Sequence, residues 1–553
     1  MKSKTDFKTR FRLLKGGKVS MVVSALLCGT TMSFAAPSGG TVTTGSANIS
    51  QVGNTTNITQ STNKASINWQ SFSIAPSETV NFIQPSASSV TLNRVIGTTS
   101  SMIEGVMNAN GQVFLLNPNG VLFSKSATVN VGGLVASTLN MTDENFQAGN
   151  YIFEGDSQNS VINMGTIKAS SGGYITLAGK TVKNDGLIQA TMGKVELAGA
   201  SKISLDLNGN SLVKLTIEQG VYDALVENSG IIKADGGAVY LTTQALDEVL
   251  NGMVNNSGVI EAQTLNDITG EVILFAHGGT ANISGTLDAT GGFIETSGEV
   301  LHVSNDTIIK AKEWLLDPTD ITIASGGADG IGGSSISGST INTVLNGGTA
   351  VTLEATNDIT INDNISKTTG GDATLTFKAG KDIVLETGKS ITSSSDKLNT
   401  IFWADNDGNE NGSIYLKDSS SITTNGGHIW MGGGDTTTTW NGLSVGDDYA
   451  YAGTTHVVTL SSPLNYQNGI SITNANIATS DGNIALYGKS KNQTATSQAY
   501  LGILYDKSTM TSGNGNIDIS AISQNTATVA AWNYGLLMTT YKDNLTSSIS
   551  STA

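Results

Sequence analysis

The sequence predicts an all-β chain wound as a right-handed parallel β-helix with an amino-terminal β cap. Composition points first in that direction: 65 of 553 residues are Gly and only 6 are Pro, 13% are charged, yet 38% are hydrophobic. Apolar residues therefore recur at short intervals between tight turns, which low-complexity disordered chains seldom show. A second observation is an imperfect repeat, Asn-x-Gly-x-apolar-polar-Ala, at 163–169, 184–190, 228–234 and 256–262, with a degenerate copy at 283–289. The third is that most copies are followed by a Gly-led alternating run: GGYITLAG (172–179), GKVELAG (193–199), GGAVYL (236–241), GEVIL (270–274) and GGFIET (291–296).

Each repeat thus offers two short strands, and no repeat buries its apolar face alone. Stacking coil upon coil pairs the strands in parallel and closes one continuous core. The repeat glycines lie 21, 44, 28 and 27 residues apart, so a period near 20 to 30 fits if the gap of 44 holds two turns. The repeat asparagines are placed to stack as hydrogen-bonded ladders. Beyond residue 316 the cadence continues in NDITI (357–361), KDIVL (381–385), GSIYL (412–416), GGHIWM (426–431), GNIALYG (482–488) and GNIDIS (515–520). Segments 404–411 and 432–451 read as surface insertions, and 325–339 as a loop or weak boundary. About 20 coils at ~4.8 Å each predict a rod of about 100 Å.

The first 35 residues lie outside the fold. Lys2, Lys4, Lys8, Arg10, Arg12, Lys15 and Lys18 form a cationic leader, an apolar stretch follows from Met21, and Ser33-Phe34-Ala35 offers a cleavage site. The sequence predicts a signal peptide cleaved near Ala35 or Ala36; the apolar stretch, broken by Gly29, Thr30 and Thr31, is too short to span a membrane. The sole cysteine, Cys28, leaves with it, so no disulfide would stop the mature chain from staying unfolded in an oxidising compartment and threading a narrow pore. Removing residues 1–35 takes away seven basic and one acidic side chains and moves the net charge from −16 to −22. Such a chain offers no basic surface for nucleic acid, and no stable membrane insertion is expected.

The densest block follows: INWQSFSI (67–74), VNFIQP (80–85), LNRVIG (92–97) and GQVFLLNPNGVLF (111–123). Residues 40–90 are the natural cap over the first open sheet edge. Trp69, Phe72 and Phe82, with Asn93 and Arg94, are the cap candidates, and ordinary core packing is the alternative for the aromatics. Within the last string, strand residues 112–116 run into a reverse turn of Asn117, Pro118, Asn119 and Gly120, and a second strand starts at Val121. Asn suits the first turn position, Pro118 presets φ at the second, Asn119 tolerates a left-handed backbone, and Gly120 fits the last. Taken alone, the four residues describe a hairpin turn equally well.

Together, these strings resemble the amino-terminal secretion domain of two-partner secretion exoproteins, the filamentous haemagglutinin family, and most closely the high-molecular-weight adhesins. A second block, GGFIETSG (291–298) with KEWLLDPTDITI (312–323), extends the resemblance over about 40–323. The resemblance implies three parts: signal peptide 1–35, secretion domain with cap 36–323, and continuing β-helical repeats 324–553. It further implies a secreted or cell-surface adhesin of a Gram-negative bacterium, exported by an outer-membrane two-partner transporter. The transporter's periplasmic domains would recognise the chain, with Asn117, Pro118, Asn119 and Gly120 as the candidate determinants. Many members carry an additional NPNL element; this chain has a single Asn-Pro-Asn, so no role of that element transfers. The surface receptor, host or bacterial, is left open.

Alternative readings are the front part of a longer exoprotein or toxin-delivery rod, and, third, a β-helical polysaccharide enzyme. An enzyme needs clustered carboxylates on neighbouring coils. Asp185, Asp235, Asp267 and Asp288 instead read as turn caps. His277, His302, His428 and His456 lie 25 or more residues apart, without metal-ligand spacing. GGADGIGG (326–333) is a single copy where a calcium array needs several. No phosphate loop, nucleophile elbow or cofactor fingerprint occurs, so the expectation is a non-enzyme without cofactors.

Overall fold

In the computed structural model, residues 36–244, 252–327, 333–452, 458–459, 465–491, 498–524, 534–539 and 547–551 are described. The signal peptide, His456 and most of GGADGIGG lie outside them. The described chain is a parallel β-helix. Its regular coil has three strands rather than the expected two: Ser160–Asn163, Thr166–Ala169 and Tyr174–Gly179. These pair in parallel with Thr181–Asn184, Leu187–Gln189 and Lys194–Gly199 of the next coil. The additional strand is the short apolar run that ends on the repeat asparagine itself, where turn chemistry masks a strand of three or four residues.

The gap of 44 residues holds one coil, not two. Thr181–Asn184 pairs directly with Leu225–Asn228, and Lys194–Gly199 with Ala238–Gln244. The surplus residues leave the coil as an antiparallel hairpin, Lys202–Asn208 with Ser211–Gln219, which Tyr151–Glu154 extends to a three-stranded side sheet. Alternating Ile203, Leu205 and Leu215, Ile217 around Asn208-Gly209 carry the sequence signature of such a hairpin. Gly209 takes a positive φ of 63° at its turn.

The core is a set of columns. Ile167, Ile188, Ile232, Ile260 and Leu287 stand in register on one face, each fully buried. Burial of one such side chain contributes about 1.5–3 kcal/mol. Two of the three faces continue through 324, where Ile321–Ala324 pairs with Ile359–Asn362 and Ile308–Asp317 with Ala350–Ala355; on the face of the Ile167 column the later strands form a separate six-stranded sheet that starts at Ile365–Lys367. Corners are equally restrictive. A Cβ on Gly230 would lie 2.2 Å from the Gly186 carbonyl oxygen, and one on Gly186 2.2 Å from that of Gly165.

At the amino end the pairing changes sign. Thr41–Thr44 runs antiparallel to Lys64–Trp69, and Ala47–Val52 antiparallel to Thr55–Gln60. The parallel stack starts one layer further, where Thr55–Gln60 pairs with Thr79–Ile83 and Lys64–Trp69 with Val90–Val95. Among the described residues, two helices interrupt the strands. Asp143–Ala148 starts on an accepting Thr142 side chain and buries Phe146. Gly338–Asn346, which begins at the end of the expected 325–339 loop, is capped by Ser337 and sends Ile341, Val344 and Leu345 into the main core. Of the two expected surface insertions, 404–411 keeps Ala404 and Asp405 buried, and 432–451 contains the antiparallel pair of Ile429–Trp440 with Leu443–Asp448.

Candidate functional site

Asn117, Pro118, Asn119 and Gly120 form a corner of the solenoid, not a hairpin. The flanking strands Gln112–Leu116 and Val121–Phe123 never pair with each other. The first lies between Val90–Val95 and Gly133–Ser137, the second between Ser101–Ile103 and Ser160–Asn163. The Gly120 N–H donates to the Asn117 carbonyl at 3.0 Å, and Gly120, not Asn119, takes the positive φ, 105°. Asn117 is fully buried. Its side-chain amide donates to the Thr99 carbonyl and the Ser101 hydroxyl, each at 3.0 Å, while its oxygen accepts the Asn119 N–H at 2.9 Å. The Asn119 amide donates to the Gly97 carbonyl at 2.9 Å, and the Pro118 carbonyl accepts from Asn159 at 2.8 Å. Only Pro118 and Asn119 reach the surface, half-buried, and the strands on either side are buried throughout.

The cap candidates fall into two groups. Trp69, Phe72 and Phe82 all lie in the main core, with Trp69 and Phe72 edge to face at 5.4 Å and Phe72 and Phe82 stacked at 6.5 Å. Trp69 donates through Nε1 to the Asn93 side chain at 3.0 Å, and Asn93 donates to the Phe114 carbonyl one coil further at 3.3 Å. Arg94 works on the outer surface. It donates to Asn68 at 2.8 Å and Asn140 at 3.0 Å and pairs with Asp143 at 2.9 Å, tying the first coils to the Asp143–Ala148 helix. Burial pushes the Asp143 carboxyl up, but hydrogen bonds from Thr43 and Arg94 and the guanidinium charge outweigh it and hold that pKa below the ordinary value.

Two asparagine ladders run through the amino-terminal coils. The repeat asparagines form one: Asn163 donates to Asn184, Asn184 to Asn228 and Asn228 to Asn256, each at 2.8 Å and each essentially buried. A second runs along the earlier coils, through Asn57, Asn81, Asn108 and Asn130, at 3.0–3.2 Å. No repeat marks that second ladder, and only the strand register reveals it.

Stacking also gathers acids that the sequence scatters. Glu271, Glu295, Asp317 and Glu354 face one another across coils. Burial first, and then the neighbouring carboxylates, raise the Glu295 pKa and lift Asp317 to about 6. Lys378 closes this stack with an ion pair to Glu354 at 2.8 Å. Glu196, 5% exposed beside the side sheet, is pushed up by burial to about 8. Among the turn acids, Asp185 accepts from Ser229, Asp235 from the Gln263 N–H, and Asp267 has a positive φ. Asp288 differs: it sits in the strand Thr286–Val303, where it accepts from Thr290 and pairs with Lys310. Among the described residues no three His, Cys, Asp or Glu side chains converge as a metal site, and no helix is long and apolar enough to cross a membrane.

Residues 33–280 match the model of the TPS secretion domain family. The heme/hemopexin-binding protein of Haemophilus influenzae strain Rd is 35% identical over 274 residues, 47% of this chain and 29% of the relative. A second heme/hemopexin-binding protein of Haemophilus influenzae is 28% identical over 269 residues, 44% of this chain and 29% of the relative. The matched region thus spans less than a third of either relative's length. The crystal structure of the HMW1 secretion domain from Haemophilus influenzae is similar at 25% identity with a TM-score of 0.50, covering 70% of this chain and 98% of that one.

Proposed function

We propose that the chain, whose residues 33–280 match the model of the TPS secretion domain family, belongs to that family and is exported through an outer-membrane transporter of the two-partner type to the surface or surroundings of a Gram-negative bacterium. Outside the cell it serves as a β-helical adhesin that binds a surface ligand. The carrying observation is the family match together with the corner at Asn117–Gly120 that it contains. In the folded rod, Gln112–Leu116 and Val121–Phe123 are completely buried and hydrogen-bonded on both edges. A transporter that reads this segment therefore reads it before folding. An extended segment adds to an exposed sheet edge of the partner through its backbone, with side chains supplying specificity. Folding of the first coils outside then removes the segment from the partner and templates the next coil, which biases movement outward.

The binding partner of the rod is a separate question, for which the relatives named as heme/hemopexin-binding proteins make hemopexin a protein ligand to test beside cell-surface receptors. A catalytic reading draws on the Glu271, Glu295, Asp317 and Glu354 stack alone, and the three similar proteins above are named as heme/hemopexin-binding proteins and a secretion domain.

Co-expression with and without a two-partner transporter tests the export reading. The expected result is mature protein in the medium or on the cell surface only with the transporter. Export falls at least 10-fold when Pro118 and Asn119, which carry little of the fold, become Ala. Equal export without the transporter overturns the proposal.

A further inference from the structure

The hairpin of Ile429–Trp440 and Leu443–Asp448 overhangs the outer face of the coil and encloses a cleft of about 260 Å³ against the strand Ile484–Lys489. The coil does not need this excursion: Ile429, Trp430 and Met431 already pair with Ile484, Ala485 and Leu486 before the strand leaves the stack. The hairpin reverses at Asn441 and Gly442, both at positive φ, and anchors through Val445, which is fully buried against the cluster of Trp403 and Trp430.

The walls are aromatic and fixed. Tyr487 lies 6.3 Å from Trp430 and 6.0 Å from Tyr449, the latter edge to face. The Tyr487 hydroxyl donates to Asp518 at 2.7 Å, and the Tyr449 hydroxyl shares a hydrogen bond with Ser520 at 2.9 Å, so the next coil holds both rings. Trp440, half-buried at the mouth, packs against His428 at 5.7 Å. Between these rings the lining is hydroxyl and carboxylate: Thr438, Thr439, Asp447 and Asp448.

We propose that this cleft binds an uncharged saccharide, one or two pyranose rings of a surface glycan. The proposal deepens the adhesin reading and rests on it for the source of the ligand. A pyranose carries an apolar C–H face beside a rim of hydroxyls, the same pairing of surfaces that the rings and the Asp and Thr side chains present. Rigid aromatic walls lose little conformational entropy on binding. Size fits as well: the cleft lies just below the ~300–1,000 Å³ of drug-sized pockets, too small for a folded partner. Charge favours a neutral sugar. Asp447 and Asp448 line the site and Asp518 lies behind the Tyr487 hydroxyl, while Lys489, 5.9 Å from the Tyr449 centroid, is engaged by Tyr451, donating to its hydroxyl at 2.5 Å and lying 4.7 Å from its ring's centroid. A carboxylate-bearing sugar would meet the two lining acids, with Lys489 already held by Tyr451.

The test is titration of the purified full chain, by calorimetry and tryptophan fluorescence, with oligosaccharides ending in glucose, galactose, mannose or N-acetylglucosamine, and with sialylated ones. At least one neutral sugar is expected to bind, at least 10-fold more tightly than any sialylated one. Tyr487→Ala and Trp440→Ala should each weaken binding at least 10-fold. Asp447→Asn, on the exposed rim, should relax the discrimination against sialylated sugars without altering the melting temperature. Absence of binding by the whole panel, a preference for sialylated sugars, or binding that survives both aromatic substitutions overturns the proposal. Purified chain needs no transporter, so failure here leaves the export reading intact, and failed export leaves this site intact.

Discussion

The coils before and after residue 324 solve the same problem with different side chains. A solenoid must satisfy the polar groups at each corner as one coil passes to the next. Before 324, buried amides do this by bonding to each other, Asn163 to Asn184 to Asn228 to Asn256. From Asp320 onward, a side-chain oxygen accepts the backbone N–H of the following coil. Asp320 accepts from Asp358 at 3.1 Å, Asp358 from Asp382 at 3.0 Å, and Asp382 from both the N–H and the hydroxyl of Ser413 at 2.7 Å. An amide ladder needs a donor and an acceptor on every member, so only Asn or Gln fits. An acceptor column needs oxygen alone. The lesson is that one fold tolerates two corner chemistries because each coil touches only its neighbours.

The largest expected effect breaks the corner that the asparagine ladder serves. Gly230→Val drives a branched side chain into the Gly186 carbonyl and should cost about 3 kcal/mol or more in chemical denaturation. Asn184→Asp comes next. It removes the donor to Asn228 and places a carboxylate in a fully buried column, for a loss of about 2–4 kcal/mol at neutral pH, whereas the converse change Asp382→Asn keeps the acceptor and should lie within about 1 kcal/mol of wild type. Equal losses for the two substitutions would erase the distinction between the ladders.

A different kind of effect concerns pH. The Glu196 carboxyl titrates near 8 in the folded chain, far above its ordinary value of 4.5. The unfolded chain therefore releases that proton first, and stability falls as pH rises from about 4.5 to about 8, by up to ~1.4 kcal/mol per pH unit. Glu196→Gln should flatten that slope, measured as denaturation midpoints between pH 5 and 8. An unchanged slope would assign it to other groups. Smallest is Asn119→Ala, which sits half-buried at the corner surface and should cost about 1 kcal/mol, against about 2–3 for the buried Asn117→Ala. Export, in contrast, should suffer in both.

Much of the rod was readable in advance because its signals are local. Turn residues, alternation and the repeat of Asn and Gly placed the strands Thr166–Ala169, Tyr174–Gly179, Leu187–Gln189 and Lys194–Gly199. The asparagine ladder was legible too, since its members recur at one position of the repeat. The side hairpin was missed although Asn208-Gly209 announces it, because a repeat count absorbed its residues as a coil. The second ladder of Asn57, Asn81, Asn108 and Asn130 carries no local mark at all.

By itself, the sequence determined the coil's apolar face, its Gly-led strands and the tight turn at Asn117–Gly120, all set by φ preferences and side-chain alternation within a few residues. Only the tertiary structure decided which coils' residues meet. Register depends on how many residues each coil loops out before returning, so a hairpin at 202–219 places Tyr240 beside Glu196, and the loops further along bring Glu295 to Glu354. The burial that lifts Glu196 and the gathering of Trp430, Tyr449 and Tyr487 into one cleft follow from that stacking, which no window of sequence contains.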